Sequence, residues 1–104
     1  MARTIWKFEL RITDEQTVEM PALATLLSVA VQGDSLCLWA LVNPDLPKCD
    51  YTFAIYGTGN PVPGGAINPG LFIGTAVMPP FVWHVFLLDP GAGNRAMLAS
   101  GASS

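Results

Sequence analysis

Short segments of alternating apolar and polar residues, separated by glycine- and proline-rich turns, constrain the fold of this chain most. In the first segment, Arg3–Ile12, the apolar residues Trp6, Phe8, Leu10 and Ile12 share one face and charged residues occupy the other. This period of two residues predicts a half-buried β-strand. No stretch of ten or more residues has a convincing helical period.

Six more segments are predicted as strands, either from the same alternation or from β-branched and apolar composition. They are Thr17–Met20, Leu26–Gln32, Ser35–Val42, Tyr51–Tyr56, Leu71–Val77 and Phe81–Leu88. Gly33-Asp34 predicts a two-residue type II′ hairpin turn, and Gly74 indicates a bulge inside its strand. Six or seven short strands with regular turns predict an all-β fold, either a small antiparallel sandwich or a partly open barrel.

The chain of 104 residues is expected to form one β domain over residues 1–88. Residues 89–104 are rich in glycine, alanine and serine and predict a flexible tail. Gly57 to Gly70 contains five glycines and three prolines. A loop of that length inside a compact domain is usually functional or mobile.

The composition limits the classes of function. Charged residues make up only 12 % of the chain, about half the usual share, which favours a surface covered by a second copy and hence a homo-oligomer. A net charge of −3 with five dispersed Lys and Arg argues against nucleic-acid binding. The apolar runs are too short to cross a membrane. The N-terminus has no signal-peptide pattern, which predicts the cytoplasm and reduced thiols at Cys37 and Cys49.

Two predicted strands are apolar on both faces, Leu36–Val42 and Phe81–Leu88. In the first of them Trp39 shares its face with Cys37 and Leu41. The other face carries Leu36, Leu38 and Ala40. Both faces of such a strand must be covered. A subunit interface is the favoured cover, and a small apolar pocket for a planar ligand is the alternative.

The turn that follows the Tyr51–Tyr56 strand is the first candidate for a ligand site. Gly57-Thr58-Gly59-Asn60 resembles a phosphate-binding loop, but the prolines after it exclude the helix that such motifs require. The favoured interpretation is a turn in which glycine supplies a positive φ. A non-helical nest of amides that holds an anion is the alternative.

His84 is the second candidate, because histidine titrates near neutral pH. Val82 and Phe86 share its face, so a buried neutral imidazole with a structural role is favoured. A hydrolase would need His84 with Cys37 as nucleophile or with a nearby carboxylate. Asp14, Glu15 and Glu19 fit solvated turn and edge positions better than a catalytic pair. We therefore predict no catalytic residue, no metal site and no cofactor.

Six ordered motifs between Arg3 and Phe86 resemble a family of small uncharacterised proteins encoded by bacteriophages, prophages and some bacteria. The motifs are Thr4-Ile5-Trp6-Lys7-Phe8, Thr17-Val18-Glu19-Met20-Pro21, Cys37-Leu38-Trp39-Ala40-Leu41-Val42, Ile55-Tyr56-Gly57-Thr58-Gly59, Phe72-Ile73-Gly74-Thr75 and His84-Val85-Phe86. The tail beyond Leu88 departs from the pattern, as does the Gly-Ala-Ile-Asn-Pro-Gly insertion in the long loop. The resemblance implies a non-exported accessory protein in a bacterial host and carries no catalytic residues.

These observations predict a non-enzymatic, self-associating accessory protein of phage type that binds a host or phage protein. The alternative is a protein that binds or sequesters a small anionic, nucleotide-like ligand and so counters a host defence signal. The candidate ligand-binding residues are Trp39, Tyr56, Gly57, Thr58, Gly59, Asn60 and His84, with Trp83 as a second choice for stacking.

Overall fold

A computed structural model describes residues 2–65, 71–91 and 94 of the chain. Seven strands occur in this part: β1 Thr4–Leu10, β2 Glu15–Pro21, β3 Thr25–Gln32, β4 Ser35–Val42, β5 Lys48–Gly57, β6 Phe72–Met78 and β7 Phe81–Asp89. They form two antiparallel sheets, which we call sheet A (order β1-β4-β3) and sheet B (order β2-β5-β7-β6). The sheets are not closed into a barrel, so the all-β prediction is confirmed in its sandwich form.

The β3–β4 hairpin forms as its turn residues predict. Gln32 lies opposite Ser35, which leaves Gly33 and Asp34 as the two turn residues. Gly33 has a φ of +62°, whereas Asp34 does not have a positive φ. A positive φ at the first central position alone is the type II′ pattern. The register of β6 against β7 also shifts between Phe72 and Gly74, at the predicted bulge.

Alternation along the central strands sorts side chains between the core and the outer faces. In β4 the core positions are Leu36, Leu38, Ala40 and Val42. The residues between them, Cys37, Trp39 and Leu41, face outward from sheet A. In β7, Val85 is fully buried, whereas residues of the opposite parity face outward from sheet B. Trp6 and Trp83 pack against the core. Trp39 instead lies on the outer face of sheet A with Cys37 and Leu41, the two residues predicted to share its face.

The β5 strand begins earlier than its composition predicts. The composition of Asn43–Asp50, with two prolines, Asn and Asp, predicts a loop that includes Cys49. In the structure β5 starts at Lys48, and Cys49 pairs with Met20 of β2. Both side chains are buried, so packing between the strands overrides the loop-forming residues around them. Cys37 and Cys49 are both free thiols.

Ordered contacts also continue past the expected domain end at residue 88. Asp89 belongs to β7 and pairs with Thr52. Gly91 is buried, and so is Asn94, whose side-chain oxygen accepts a hydrogen bond of 2.6 Å from the backbone N–H of Leu23. The rest of the expected tail, and residues 66–70 of the long loop, lie outside the described residues.

Candidate functional site

The Gly57–Asn60 segment is a tight turn at the end of β5. The N–H of Asn60 donates to the carbonyl of Gly57 over 3.0 Å, and Gly59 has a φ of +86°. Glycine at the third position with a positive φ is typical of a type II turn. The N–H of Thr58 donates to the Val82 carbonyl over 3.1 Å. Two amides that an anion nest would need are therefore already hydrogen-bonded within the protein.

His84 lies at the middle of the outer face of sheet B, half-buried, directly between Tyr56 on β5 and Thr75 on β6. Its Nε2 is 2.7 Å from the hydroxyl oxygen of Thr58, and its Nδ1 is 2.9 Å from that of Thr75. Hydroxyl groups both donate and accept, so these two threonines satisfy a neutral imidazole in either tautomer. This arrangement ties the turn to β6 and β7 through one side chain.

Six of the seven predicted ligand-binding residues therefore come together, and one does not. Tyr56, His84 and the four residues of the Gly57–Asn60 turn lie together on sheet B, where β5 ends. Trp39 lies on the outer face of sheet A, opposite Lys7 and Ser28 and on the far side of the sandwich. It cannot stack on a ligand bound at the turn, because both sheets stand between them.

Two pockets meet at the aromatic pair Phe81 and Trp83, whose ring centroids are 5.4 Å apart. The first, of about 430 Å³, is lined by Gly57, Thr58, Asn60, Pro80, Phe81, Val82 and Trp83. The second, of about 480 Å³, is lined by Ile12, Val31, Gly33, Asp34, Val77, Met78, Pro79, Pro80, Phe81 and Trp83. Asp34 is the charged residue in these two linings, and neither lining contains a cationic side chain.

Sequence reasoning missed Pro80 and Phe81 as lining residues of both pockets. The signal was present in the Met78-Pro79-Pro80 turn, which directs the first residue of β7 to the end of the sandwich. Phe81 is 56 % exposed there, although it has the same place in the alternation of β7 as the inward-facing Trp83 and Val85. Alternation along the strand predicts a core position for such a residue, because the alternation contains no information on where sheet A, which covers this face, ends.

The groups considered for catalysis are dispersed. Cys37 is buried on the outer face of sheet A, where its thiol donates to the Ser35 carbonyl over 3.7 Å. His84 is on the outer face of sheet B, so the two are separated by the whole sandwich. Glu15 and Glu19 lie on the exposed side of β2. Among residues 2–65, 71–91 and 94, no three His, Cys, Asp or Glu side chains are placed to share a metal ion.

A comparison with known protein families identifies the family of this chain. A family model described as Domain of unknown function (DUF7352) matches residues 1–95. The chain belongs to this family. No curated protein and no solved structure matches it significantly. Membership of DUF7352 confirms the predicted resemblance to an uncharacterised family and brings no assigned activity with it. No helix in the described part of this DUF7352 chain is long and apolar enough to span a membrane.

Proposed function

We propose that this DUF7352 protein is a non-enzymatic accessory protein of phage type that self-associates and acts by binding in the bacterial cytoplasm. The observation that carries the proposal is the number of large apolar side chains that a single chain leaves uncovered. Val77 is 62 % exposed, Ile5 57 %, Phe81 56 % and Phe72 49 %. Scattered exposed apolar residues are ordinary, but neighbouring ones mark interaction sites.

Val77 and Phe72 lie on the outward face of the β6–β7 hairpin together with Val82 and Phe86. We call Phe72, Val77, Val82 and Phe86 the β6–β7 surface. Phe72 and Phe86 lie opposite each other with ring centroids 5.3 Å apart, and Val77 lies opposite Val82. Aromatic residues with few charges between them resemble the centre of a protein–protein interface. This surface is suited to binding a host or phage protein.

A binding role also fits the state of the reactive groups. The imidazole of His84 is hydrogen-bonded by two hydroxyls, and Cys37 is buried on the other side of the molecule. A general base needs access to a substrate proton, and a nucleophilic thiol needs a nearby base. Both ring nitrogens of His84 are occupied by threonine hydroxyls, and the sandwich separates His84 from Cys37, so the two residues do not form a nucleophile–base pair.

Native mass spectrometry of the full chain, over a concentration series in the micromolar range, is expected to give a homo-oligomer. Burial of the uncovered apolar side chains is the driving force, at about 25 cal/mol for each Å² removed from water. A monomer at every concentration would overturn the self-association proposal.

A second candidate function is binding of a nucleotide-like ligand, and the pocket of about 430 Å³ beside the Gly57–Asn60 turn favours it. Phe81 and Trp83 supply rings for stacking, while Thr58 and Asn60 supply polar groups. The lack of a cationic lining residue and the two occupied amides weigh against an anionic ligand. We therefore place this function second.

Thermal unfolding with a panel of mono-, di- and cyclic nucleotides tests this candidate. A ligand at 100 times its Kd stabilises a protein by about 2.7 kcal/mol, which is readily seen as a rise in Tm. If the pocket binds a nucleotide, Asn60→Ala is expected to reduce the rise. Ser28→Ala, on the outer face of sheet A, is the matched control and is expected to retain it. No rise with any nucleotide at millimolar excess would remove the candidate.

A further inference from the structure

The four strand edges of the sandwich differ in how they are protected. The edges of β3 and β6 lie against each other, so close that a Cβ on Gly74 would come within 2.9 Å of Val29 Cγ2. The β2 edge carries Pro21, which has no N–H to donate, together with exposed Glu15 and Glu19. Proline and charged residues are common protections of an edge strand. Within the described part of the chain, the edge of β1 has neither a covering strand nor a proline.

The inward-facing side chains of β1 are also incompletely covered. Trp6 and Phe8 point toward the core and pack against it, yet both stay half-buried, with ring centroids 6.3 Å apart. Leu10 at the end of the strand is buried. The core is therefore open along the β1 edge, where two aromatic rings are partly accessible to solvent.

The charged residues of β1 do not guard this edge. A lysine often blocks edge-to-edge pairing by projecting its ammonium group from the strand. Here the ammonium group of Lys7 donates to Gln32 Oε1 over 2.6 Å, and Gln32 belongs to β3 on the far side of β4. Glu9 accepts a hydrogen bond of 3.0 Å from the Ser35 hydroxyl of β4. Both side chains thus lean across the face of sheet A, away from the free edge.

We propose that β1 pairs antiparallel with β1 of a second copy of this chain, joining two copies of sheet A into one six-stranded sheet. This inference rests on the proposed self-association and names the surface responsible for it. A two-fold axis perpendicular to the sheet keeps the inward faces of both copies on the same side. Each inward-facing residue of one β1 strand therefore lies opposite an inward-facing residue of the other.

Charge complementarity selects the register once the exposed side chains of Lys7 and Glu9 exchange their partners on sheet A for those of the second copy. With the axis at Phe8, Lys7 lies opposite Glu9 of the second copy, and Glu9 lies opposite Lys7. On the inward face Phe8 meets its own equivalent and Trp6 meets Leu10. A shift of the axis to Lys7 or to Glu9 would place two like charges directly opposite, which is destabilising. The central register therefore pairs opposite charges outside and apolar side chains inside.

A charge-exchange series tests this interface in the full chain. Lys7→Glu places Glu opposite Glu twice in the dimer and is expected to raise its Kd about tenfold. Glu9→Lys is expected to act similarly by opposing two lysines. The double variant Lys7→Glu with Glu9→Lys restores opposite charges and is expected to return the Kd to near the wild-type value. Glu19→Lys on the exposed side of β2 makes the same charge change as Glu9→Lys outside the β1 interface; it is the control and is expected to leave the Kd unchanged.

The measurement is sedimentation or native mass spectrometry over a concentration series, with unfolding curves for each variant to verify folding. A wild-type dimer that is weakened by each single exchange and rescued by the double exchange supports the β1 interface. A wild-type dimer insensitive to these exchanges, or one weakened in the double variant as much as in the singles, overturns the interface and leaves self-association standing. A monomeric wild type overturns both.

Greater hydrogen-exchange protection of β1 amides with increasing concentration is expected independently of any variant, and its absence in a dimer also overturns the interface.

Discussion

Gly91→Ala is expected to destabilise the fold by about 2–5 kcal/mol, from backbone strain and overpacking together. Gly91 has a φ of +91°, a conformation that side chains with a Cβ rarely adopt. A Cβ at this position would also overlap the carbonyl oxygen of Asp50 in β5. Backbone atoms cannot rotate away as a flexible side chain can, so relief requires the chain after β7 to move off the sheet. Urea unfolding of wild type and variant measures the loss.

Gly59→Ala is the matched control, because Gly59 has a similar φ of +86° but nothing within 4 Å of a Cβ position. Its expected cost is the backbone strain alone, about 1–2 kcal/mol. The difference between the two variants isolates the close approach between Gly91 and Asp50. Equal losses would mean that the segment after β7 does not hold its place against β5.

The strand pattern was predictable because it depends on local alternation. Arg3–Ile12 and Ser35–Val42 indicated strands, and the two parities of the latter indicated that Trp39 and the core leucines face opposite ways. The Gly33-Asp34 turn followed from its dipeptide. Such features need only neighbouring residues, since side-chain direction in a strand has a period of two.

The segment after β7 was not predictable in the same way. Its glycine, alanine and serine content is typical of a tail, yet Asn94 is buried and bonded to the backbone of Leu23, 71 positions away in sequence. Gly91 fits only because β5 passes beside it. Both contacts depend on how distant strands are stacked, which the composition of the segment itself does not indicate.

The candidate site was predictable in part for the same reason. Tyr56 to Asn60 are contiguous, and an antiparallel pairing of their strand with the His84 strand brings them together. Trp39 is grouped with them because its indole ring is suited to stacking on a planar ligand. Parity does not reveal which of two sheets a strand joins, and β4 joins sheet A whereas β5 and β7 join sheet B.

Tyr51→Phe is expected to cost about 2–4 kcal/mol, because it leaves two backbone groups without partners. Tyr51 is 2 % exposed, and its hydroxyl donates to the Pro21 carbonyl over 2.9 Å and accepts from the Ala24 N–H over 3.1 Å. These groups belong to the chain that crosses from β2 in sheet B to β3 in sheet A. One hydroxyl on β5 thus fixes the crossover between the sheets. The ring of phenylalanine fills the same space, so packing is preserved and the hydrogen bonds alone are lost.

Tyr56→Phe removes the same atom from the same strand and is the control. Tyr56 is half-buried on the outer face, and its hydroxyl has no hydrogen bond within the described part of the chain, so a change below about 0.5 kcal/mol is expected. Chemical denaturation at matched conditions compares the two, with similar m-values required for the comparison. If Tyr51→Phe were as mild as Tyr56→Phe, the crossover would be held by packing and by its other bonds, from Ala22 to Pro47 and from Leu23 to Asn94. A large difference would instead assign the joining of the two sheets at this end to a single buried hydroxyl.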